Sequence, residues 1–348
     1  MKSIKIANFD ISKENRPFVV AEAGINHNGE LERAYLMIEL AKRAGADAIK
    51  FQTFNSEEFV GDSYQTYTYE SQGKTVTESM LEMFKRYEFN RDEWFLIRKK
   101  CDDERIAFFS TPQNITDLEL LMEVGIPAIK VGSDDFTNIQ LLREYATYHL
   151  PMILSCGMAD LSEVYQALKT VGVFDGQPVI LLLCTSQYPT PPEDVNLRRL
   201  TTLSNAFPEV ILGFSDHTRG VLASTMAVAL GAVVFEKHFT LDHNLPGPDH
   251  WFSADPYELK EWVDSVNTAY IMMGSHQVRP TEKEIINKKE FQRVIVAAQN
   301  INEGELYVKE MFAMRRMPSG RGLPPSCIDL LLGKTARNAI KKGEIIGI

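Results

Sequence analysis

The chain has 348 residues, a length that fits about two domains. Its 44% hydrophobic and 24% charged residues are those of an ordinary folded protein rather than a disordered or collagen-like one. With 37 basic and 47 acidic residues the net charge is −10, which argues against a nucleic-acid or anionic-membrane binder, because phosphate-rich partners call for a basic surface.

In chain order, residues 1–11 lack the basic stretch, apolar stretch and small-residue cleavage site of a secretory leader, so a cytoplasmic location is expected. From Pro17 to about Gly274, short β-rich runs alternate with helical patterns, as in a parallel sheet covered by helices. The predicted strands are 17–25 (PFVVAEAGI), 48–54 (AIKFQTF), 106–112 (IAFFSTP) and 128–133 (AIKVGS). They continue with 151–157 (PMILSCG), 179–186 (VILLLCTS), 210–218 (VILGFSDHT) and 233–240 (VVFEKHFT). Helical periodicity marks stretches such as 31–45 and 138–148. Eight units predict a (β/α)₈ TIM barrel over residues 1–274. An open doubly wound sheet would favour a glycine-rich phosphate loop after the first strand, and neither GxGxxG nor GxxxxGK[ST] occurs.

The connection 55–90 is long, polar and rich in tyrosine, and is expected to lie over the active-site end as a lid or an interface. The weakly polar run 221–235 falls short of the roughly 18 apolar residues of a membrane span and reads as a buried helix and strand. Residues 275–290 read as a linker, and 291–348 as a small β-rich domain with two similar phrases, IVAAQNINEGELYV (295–308) and KTARNAIKKGEIIG (334–347), each a strand, a glycine turn and a strand. Residues 281–348 carry 12 basic and 8 acidic residues, hence +4, which leaves −14 for the rest. Cys101, Cys156, Cys184 and Cys327 are widely spaced, so reduced thiols are expected rather than a disulfide framework or a zinc knuckle.

Polar residues gather at the C-terminal ends of the predicted strands, where barrels carry their catalytic groups. They are Glu22, Asn26 and His27; Lys50 and Gln52; Ser110 and Thr111; Lys130 and Ser133; Ser155; Cys184, Thr185, Ser186 and Tyr188; Ser215, Asp216 and His217; and Glu236 and His238. Their joint placement predicts one polar site. His217 and His238 end neighbouring strands, so they are candidate ligands of one ion, and two imidazoles with open positions suit Mn²⁺, Fe²⁺ or Mg²⁺ better than structural zinc. A single buried histidine is otherwise merely hydrogen-bonded. Lys50 and Lys130 sit inside apolar phrases, where an ammonium requires a carboxylate partner, a phosphate ligand or conversion to a Schiff-base amine. Hydroxyls of Thr111, Ser133, Ser155, Ser186 and Ser215 are suited to a phosphate held by several hydrogen bonds. Glu22, Asp135 and Asp249 supply carboxylates, and Cys156 and Cys184 read as packing residues.

The phrases AEAGINHNG (21–29), KFQT (50–53), STP (110–112), IKVGS (129–133), LSCGM (154–158), CTSQYPTP (184–191), GFSDHT (213–218), EKHFT (236–240) and PGPD (246–249) resemble those of the sialic acid synthase family. GLPPSCIDLLLGKTARNAIKKGE (322–344) is similar to that family's C-terminal antifreeze-like (SAF) domain. The resemblance implies a cytoplasmic, domain-swapped homodimer that condenses phosphoenolpyruvate with an N-acetylmannosamine-type sugar, giving a nonulosonic acid and phosphate. By position it makes His217 and His238 ligands of a divalent ion, Mn²⁺ first with Mg²⁺ or Co²⁺ as alternatives, and these two with Glu22 the catalytic set. It assigns Lys50, Thr111, Lys130, Ser133, Ser155, Ser186 and Ser215 to phosphoenolpyruvate. Gln52, Tyr188, Asp249 and the partner chain's counterpart of Arg316, with Arg315 beside it, fall to the sugar. The chain departs from the family phrases at Asp134, where a glycine is usual, at Cys156, at Ser186 in place of an asparagine found in some members, and in AMRRMPSG around Arg316. Competing readings are a Schiff-base aldolase using Lys50 or Lys130, and a carbohydrate-binding protein whose barrel is a scaffold. The resemblance leaves the sugar open among N-acetylmannosamine, its 6-phosphate and 2,4-diacetamido-trideoxyhexoses.

Overall fold

The valine, isoleucine, leucine and phenylalanine residues that crowd the predicted strands fill both faces of a sheet, the pattern of parallel strands enclosed by helices. In the computed structural model, which describes residues 3–317 and 321–347, these runs form such a sheet. A hairpin of β1 (Ile4–Ile6) and β2 (Phe9–Ile11) precedes β3 (Phe18–Gly24), α1 (Leu31–Ala44) and β4 (Ala48–Thr53). An insert follows, made of α2 (Ser56–Phe59), β5 (Thr66–Ser71), β6 (Lys74–Ser79) and α3 (Met80–Tyr87). The alternation resumes with α4 (Arg91–Glu104), β7 (Ala107–Pro112), α5 (Ile115–Val124), β8 (Ile129–Val131), α6 (Ile139–Ala146), β9 (Met152–Ser155) and α7 (Leu161–Thr170). It ends with β10 (Val179–Leu183), α8 (Pro192–Val195), α9 (Arg199–Ala206), β11 (Ile211–Asp216), α10 (Leu222–Ala229), β12 (Val234–His238) and α11 (Pro256–Met273).

Eight parallel strands run in the order β7-β4-β3-β12-β11-β10-β9-β8, with β7 and β8 side by side at the two ends, so the sheet curls into a nearly closed barrel. First and last strands join through β3 and β12, with Val234 opposite Phe18 and His238 opposite Glu22. The strand bodies are buried, and their outward side chains pack on helix stripes such as Met37, Ile38 and Ala41 of α1 and Leu259, Trp262 and Val266 of α11. Gly45 ends α1 in the left-handed conformation (φ 92°), and Asp255 caps α11 with Glu258 in a reciprocal capping box. Gly213 of β11 is the point of closest strand approach: a Cβ there would lie 2.4 Å from Leu182 Cδ2 and 2.5 Å from the Val234 carbonyl oxygen.

The strands stop earlier than the sequence reading places them. Ser133, Cys156, Ser186 and His217 fall just beyond β8, β9, β10 and β11, in the loops that start there. The insert is ordered: β5 pairs antiparallel with β6 in a hairpin, and Phe54, Met83 and Tyr87 form a small core with Ile25.

The chain divides into Met1–Gly274 and Ser275–Ile348. Within the second unit, the stretch read as linker carries α12 (Glu282–Phe291), started by a Thr281/Glu284 capping box that the sequence reading passes over. β13 (Val294–Ala297), β14 (Phe312–Arg315) and α13 (Ile328–Leu331) follow. The two similar phrases pair antiparallel with one another through Val296–Ile345, Ile301–Ile340 and Leu306–Thr335, all three isolated bridges rather than the continuous strands expected. Ile295, Ile301, Tyr307, Phe312 and Ile346 form the core of this unit.

Candidate active site

Side chains alternate along a strand, so only every second polar residue at the barrel's end points inward. Glu22 lies in register with Lys50 on one side and His238 on the other, and Ser215 with Glu236. These inward groups open into a cavity of about 690 Å³ whose walls include Glu22, Lys50, Gln52, Thr111, Lys130, Ser133, Ser155, Ser186, Tyr188, Ser215, His217, His238 and Asp249. The barrel residues that the resemblance assigns to the substrates and the ion are thus brought together; Arg316 lies in the second unit just after β14, its guanidinium 5.7 Å from the Phe291 ring centre.

The expectation that all the polar strand ends share one site needs correcting, because alternation sends part of the set elsewhere. Ser110 pairs outside the cavity with Thr53 at 2.7 Å, and Asn26 donates to the Phe239 carbonyl and to Ser253. His27 stacks on Phe89 with ring centres 4.2 Å apart. Asp216 and Lys237 face the helices as a buried ion pair at 3.4 Å; Asp216 accepts from Ser224, which itself accepts from the Trp262 indole. Asp135 likewise turns away to accept from Asn138. Asp134 lines the cavity with its carboxylate over Gly132, and it is not among the residues with positive φ, so an aspartate sits there without left-handed strain.

The floor is charged. Lys50 Nζ lies 2.8 Å from Glu22 Oε2, 3.9 Å from Glu236 Oε2, and donates to Thr111 Oγ1 at 3.0 Å. Lys130 Nζ donates to Ser155 Oγ at 2.8 Å and to the Val131 carbonyl, with Glu236 Oε1 3.8 Å away. Burial works against the Lys50 charge, but Glu22 and Glu236 hold it above the ordinary lysine range. Lys130 falls below that range because burial outweighs the opposing pull of Glu236. Burial pushes Glu22 up to about 7 despite the nearby Lys50, whereas Glu236, between two lysines, stays below the usual carboxylate value. Glu236 is the functional candidate to which the sequence reading gives no role. Its signal was its place two residues before His238 on the same strand, which puts both side chains inside.

Beside the lysines lies a cluster of small groups. A Cβ on Gly157 would come within 2.4 Å of Ser186 Oγ, 2.6 Å of Ser133 Oγ and 2.9 Å of Cys184 Sγ. The Ser186 hydroxyl is buried with no hydrogen-bond partner among the described residues, a donor and acceptor left for a ligand. Burial raises the Cys156 and Cys184 thiols, so neither is an activated nucleophile.

On the opposite side His217 and His238 face each other with ring centres 5.6 Å apart, and Tyr188 stacks 4.2 Å from His217. His217 Nδ1 meets the Thr185 carbonyl at 2.7 Å, so it carries the proton and Nε2 keeps its lone pair. Ser215 Oγ is 3.2 Å from both His217 Nε2 and Glu236 Oε1, and its one proton serves either. His238 Nδ1 is buried without a partner among the described residues. Burial holds His217 down at about 4 and His238 well below its ordinary value, so both rings are neutral, the form a divalent ion requires. A tyrosine-backed pair of neutral imidazoles with an unpartnered nitrogen therefore fits a metal. Among the described residues the one cluster of three potential ligand groups is a different one, His243, Asp255 and Glu258, nearer the surface, and its carboxylates already cap α11.

Known proteins resemble this chain along most of its length. The NeuB family model matches residues 37–278 and the SAF domain model residues 292–347. An N,N'-diacetyllegionaminic acid synthase of Legionella pneumophila is 37% identical over 333 residues, covering 94% of this chain and 93% of that protein. The N-acetylneuraminate-9-phosphate synthase of Homo sapiens is 33% identical over 94% of this chain and 91% of its own. In structure, the N-acetylneuraminic acid synthetase of Leptospira borgpetersenii, solved with citrate, matches with a TM-score of 0.73 at 35% identity, covering 83% of this chain and 97% of that one.

Proposed function

The chain belongs to the NeuB family, carries a SAF domain, and from that premise we propose that it condenses phosphoenolpyruvate with an N-acyl mannosamine-type sugar to give a nonulosonic acid and phosphate. The observation that carries the reading is the division of the cavity: two buried lysines ringed by hydroxyls on one side, two neutral histidines on the other. A substrate with a phosphate and a carboxylate matches the first, and an uncharged carbonyl the second. Lys50 and Lys130 offset the anionic charge; Thr111, Ser133, Ser155, Ser186 and Ser215 orient the phosphate by hydrogen bonds. Gln52, Tyr188 and Asp249 line the space left for the sugar. The enol carbon bonds to the sugar's aldehyde carbon as the C=O π bond opens to an alkoxide; water's oxygen bonds to C2, the proton it releases going on to the alkoxide; the C2–O bond to phosphate then breaks, C2 becoming the keto carbon and the remaining proton leaving with phosphate. Glu22, poised to gain or lose a proton near neutrality, is the group that takes the proton of that water.

His217 and His238 would hold a divalent ion, Mn²⁺ in this proposal, which when bound polarises the aldehyde as a Lewis acid. The protein works as a cytoplasmic homodimer with exchanged SAF domains, Arg316 of one chain meeting the N-acyl group of the sugar bound by the other. Among the described residues no helix is long and apolar enough to cross a membrane. Of the three candidate sugars, a 2,4-diacetamido-trideoxyhexose is the first choice, since the Legionella relative bears the name of a diacetyllegionaminic acid synthase.

The test is phosphate release from phosphoenolpyruvate, with and without Mn²⁺, across N-acetylmannosamine, its 6-phosphate and the diacetamido sugars. Metal-dependent release with one of them is expected; no release with any would sink the proposal. A Schiff-base aldolase remains as the second reading because burial lowers Lys130, while Glu22 keeps Lys50 protonated. Borohydride trapping of a pyruvate adduct at Lys130 would favour it.

A further inference from the structure

We propose that Tyr67, on the β5–β6 hairpin, is a specificity-determining residue that forms the outer wall of the sugar pocket together with Asp249, and that two hydrogen bonds latch this hairpin to the loop carrying Asp249. The inference rests on the synthase reading above and deepens it. Tyr67 and Tyr69, two apart on β5, share one face of the hairpin with ring centres 5.8 Å apart, and both line the cavity. Their hydroxyls differ in what they touch. Tyr69 donates to Glu78 Oε1 at 2.6 Å, and Glu78 also accepts from Arg86 at 2.7 Å, so Tyr69 braces the hairpin. The Tyr67 hydroxyl makes no hydrogen bond among the described residues, and its side of the cavity is the mouth: Tyr67 is 40% exposed while Glu22, Lys50 and Lys130 are buried.

The latch lies at the hairpin's turn. Gln72 Nε2 donates to the Asn244 carbonyl at 2.8 Å, and the Gly247 amide donates to the buried Ser71 Oγ at 3.1 Å. The loop reached in this way is itself fixed. His250 Nε2 donates to Asn28 Oδ1 at 2.9 Å, and its Nδ1 lies 2.6 Å from the Thr240 hydroxyl. Gly247 has φ 147°, and a Cβ there would meet the His250 ring at 2.9 Å, so only glycine passes. Hairpin and loop therefore move as one wall, with a phenol on one part and a carboxylate on the other. Burial lifts Asp249 to about 6, and among the described residues no cation offsets it. An aromatic face with a free hydroxyl, its pKa raised by burial and by the nearby Asp249 carboxylate, recognises neutral hydroxyl and acylamido groups, here those of the sugar chain remote from its aldehyde.

The experiment compares wild type, Tyr67→Phe, Tyr67→Ala and Ser71→Ala/Gln72→Ala in the phosphate-release assay with Mn²⁺, varying phosphoenolpyruvate and each accepted sugar separately. Tyr67→Ala and the latch variant should raise KM for the sugar about fivefold or more, leave KM for phosphoenolpyruvate within about twofold, and change the preference among the sugars. Tyr67→Phe keeps the ring and isolates the hydroxyl, so it should show the same sugar-only effect in milder form. Equal rises in both KM values, or an unchanged sugar KM and preference, would overturn the inference while wild-type turnover still upheld the synthase. A wild type silent with every sugar would overturn the synthase reading, and this inference with it.

Discussion

Glu22 is the residue whose environment departs furthest from its neighbours in chemical consequence. Burial raises it to about 7, and Lys50, Glu236 and Lys130 are the charged groups around it, Lys50 at 2.8 Å. A raised carboxylate is protonated below that pH and ionised above it; acting as a base it requires the ionised form. kcat/KM should accordingly climb as pH rises through about 7, and Glu22→Gln should flatten that limb while lowering kcat by about 10² or more. A pH–rate profile unchanged by the substitution would remove Glu22 from the proton transfer. His238→Ala makes a second residue-scale prediction: turnover is lost, phosphoenolpyruvate binding measured by calorimetry persists, and Mn²⁺ no longer raises the melting temperature. At this scale the sequence was legible where a residue type is unusual for its surroundings, as with Lys50 and Lys130 in apolar strands. It was poorly legible where an ordinary loop residue gains meaning only by convergence. The tyrosine-rich insert 55–90 was expected over the site, but its sequence does not say that Tyr67 and Tyr69 are the tyrosines that line the cavity, or that Phe252 joins them from a distant loop.

Among the elements, barrel closure sets the geometry of the site, because the same registers that align Glu22 with Lys50 and His238 decide where every inward group sits. β11 is the sensitive strand, carrying Ser215 and leading into His217, with Gly213 wedged between β10 and β12. Gly213→Ala would press a methyl against the Val234 backbone oxygen, which has no freedom to rotate away, and should cost about 1–3 kcal/mol of stability. Chemical denaturation measures the loss; a variant as stable as wild type would show that the strands have slack. The β/α rhythm was readable because hydrophobic period and glycine punctuation agree along the barrel. The hairpin of the insert was not, since β5 and β6 are largely exposed and polar and so lack an apolar alternation. The helix at 282–291 escaped for a related reason: it buries no residue, so its capping box was its one signal.

For the whole molecule, the unit 1–274 contains the lysines, hydroxyls and histidine pair, while the proposed N-acyl contact, Arg316, belongs to 275–348. The charges of −14 before residue 281 and +4 after it favour association of the second part with an acidic surface, though charge steers encounter more than it fixes geometry. The proposed domain-swapped homodimer turns this division into a distinct expectation. His238→Ala lacks a histidine of its own barrel, and Arg316→Ala lacks the residue it lends to its partner. Each variant alone should be impaired, by loss of turnover in the first and by a raised sugar KM in the second. Mixed in equal amounts, unfolded and refolded together, half of the dimers become heterodimers, and in each of these one site combines an intact His238 with an intact Arg316. About a quarter of all sites then regain the full set, so the mixture should recover about a quarter of wild-type turnover at sugar concentrations below the KM of Arg316→Ala. If Arg316 served its own barrel, or no barrel at all, every mixed site would lack one group or the arginine would be irrelevant, and the mixture would show only the average of its two components. Light scattering on the same samples, expecting twice the 39.4 kDa of one chain, separates a failure to dimerise from a failure to exchange domains.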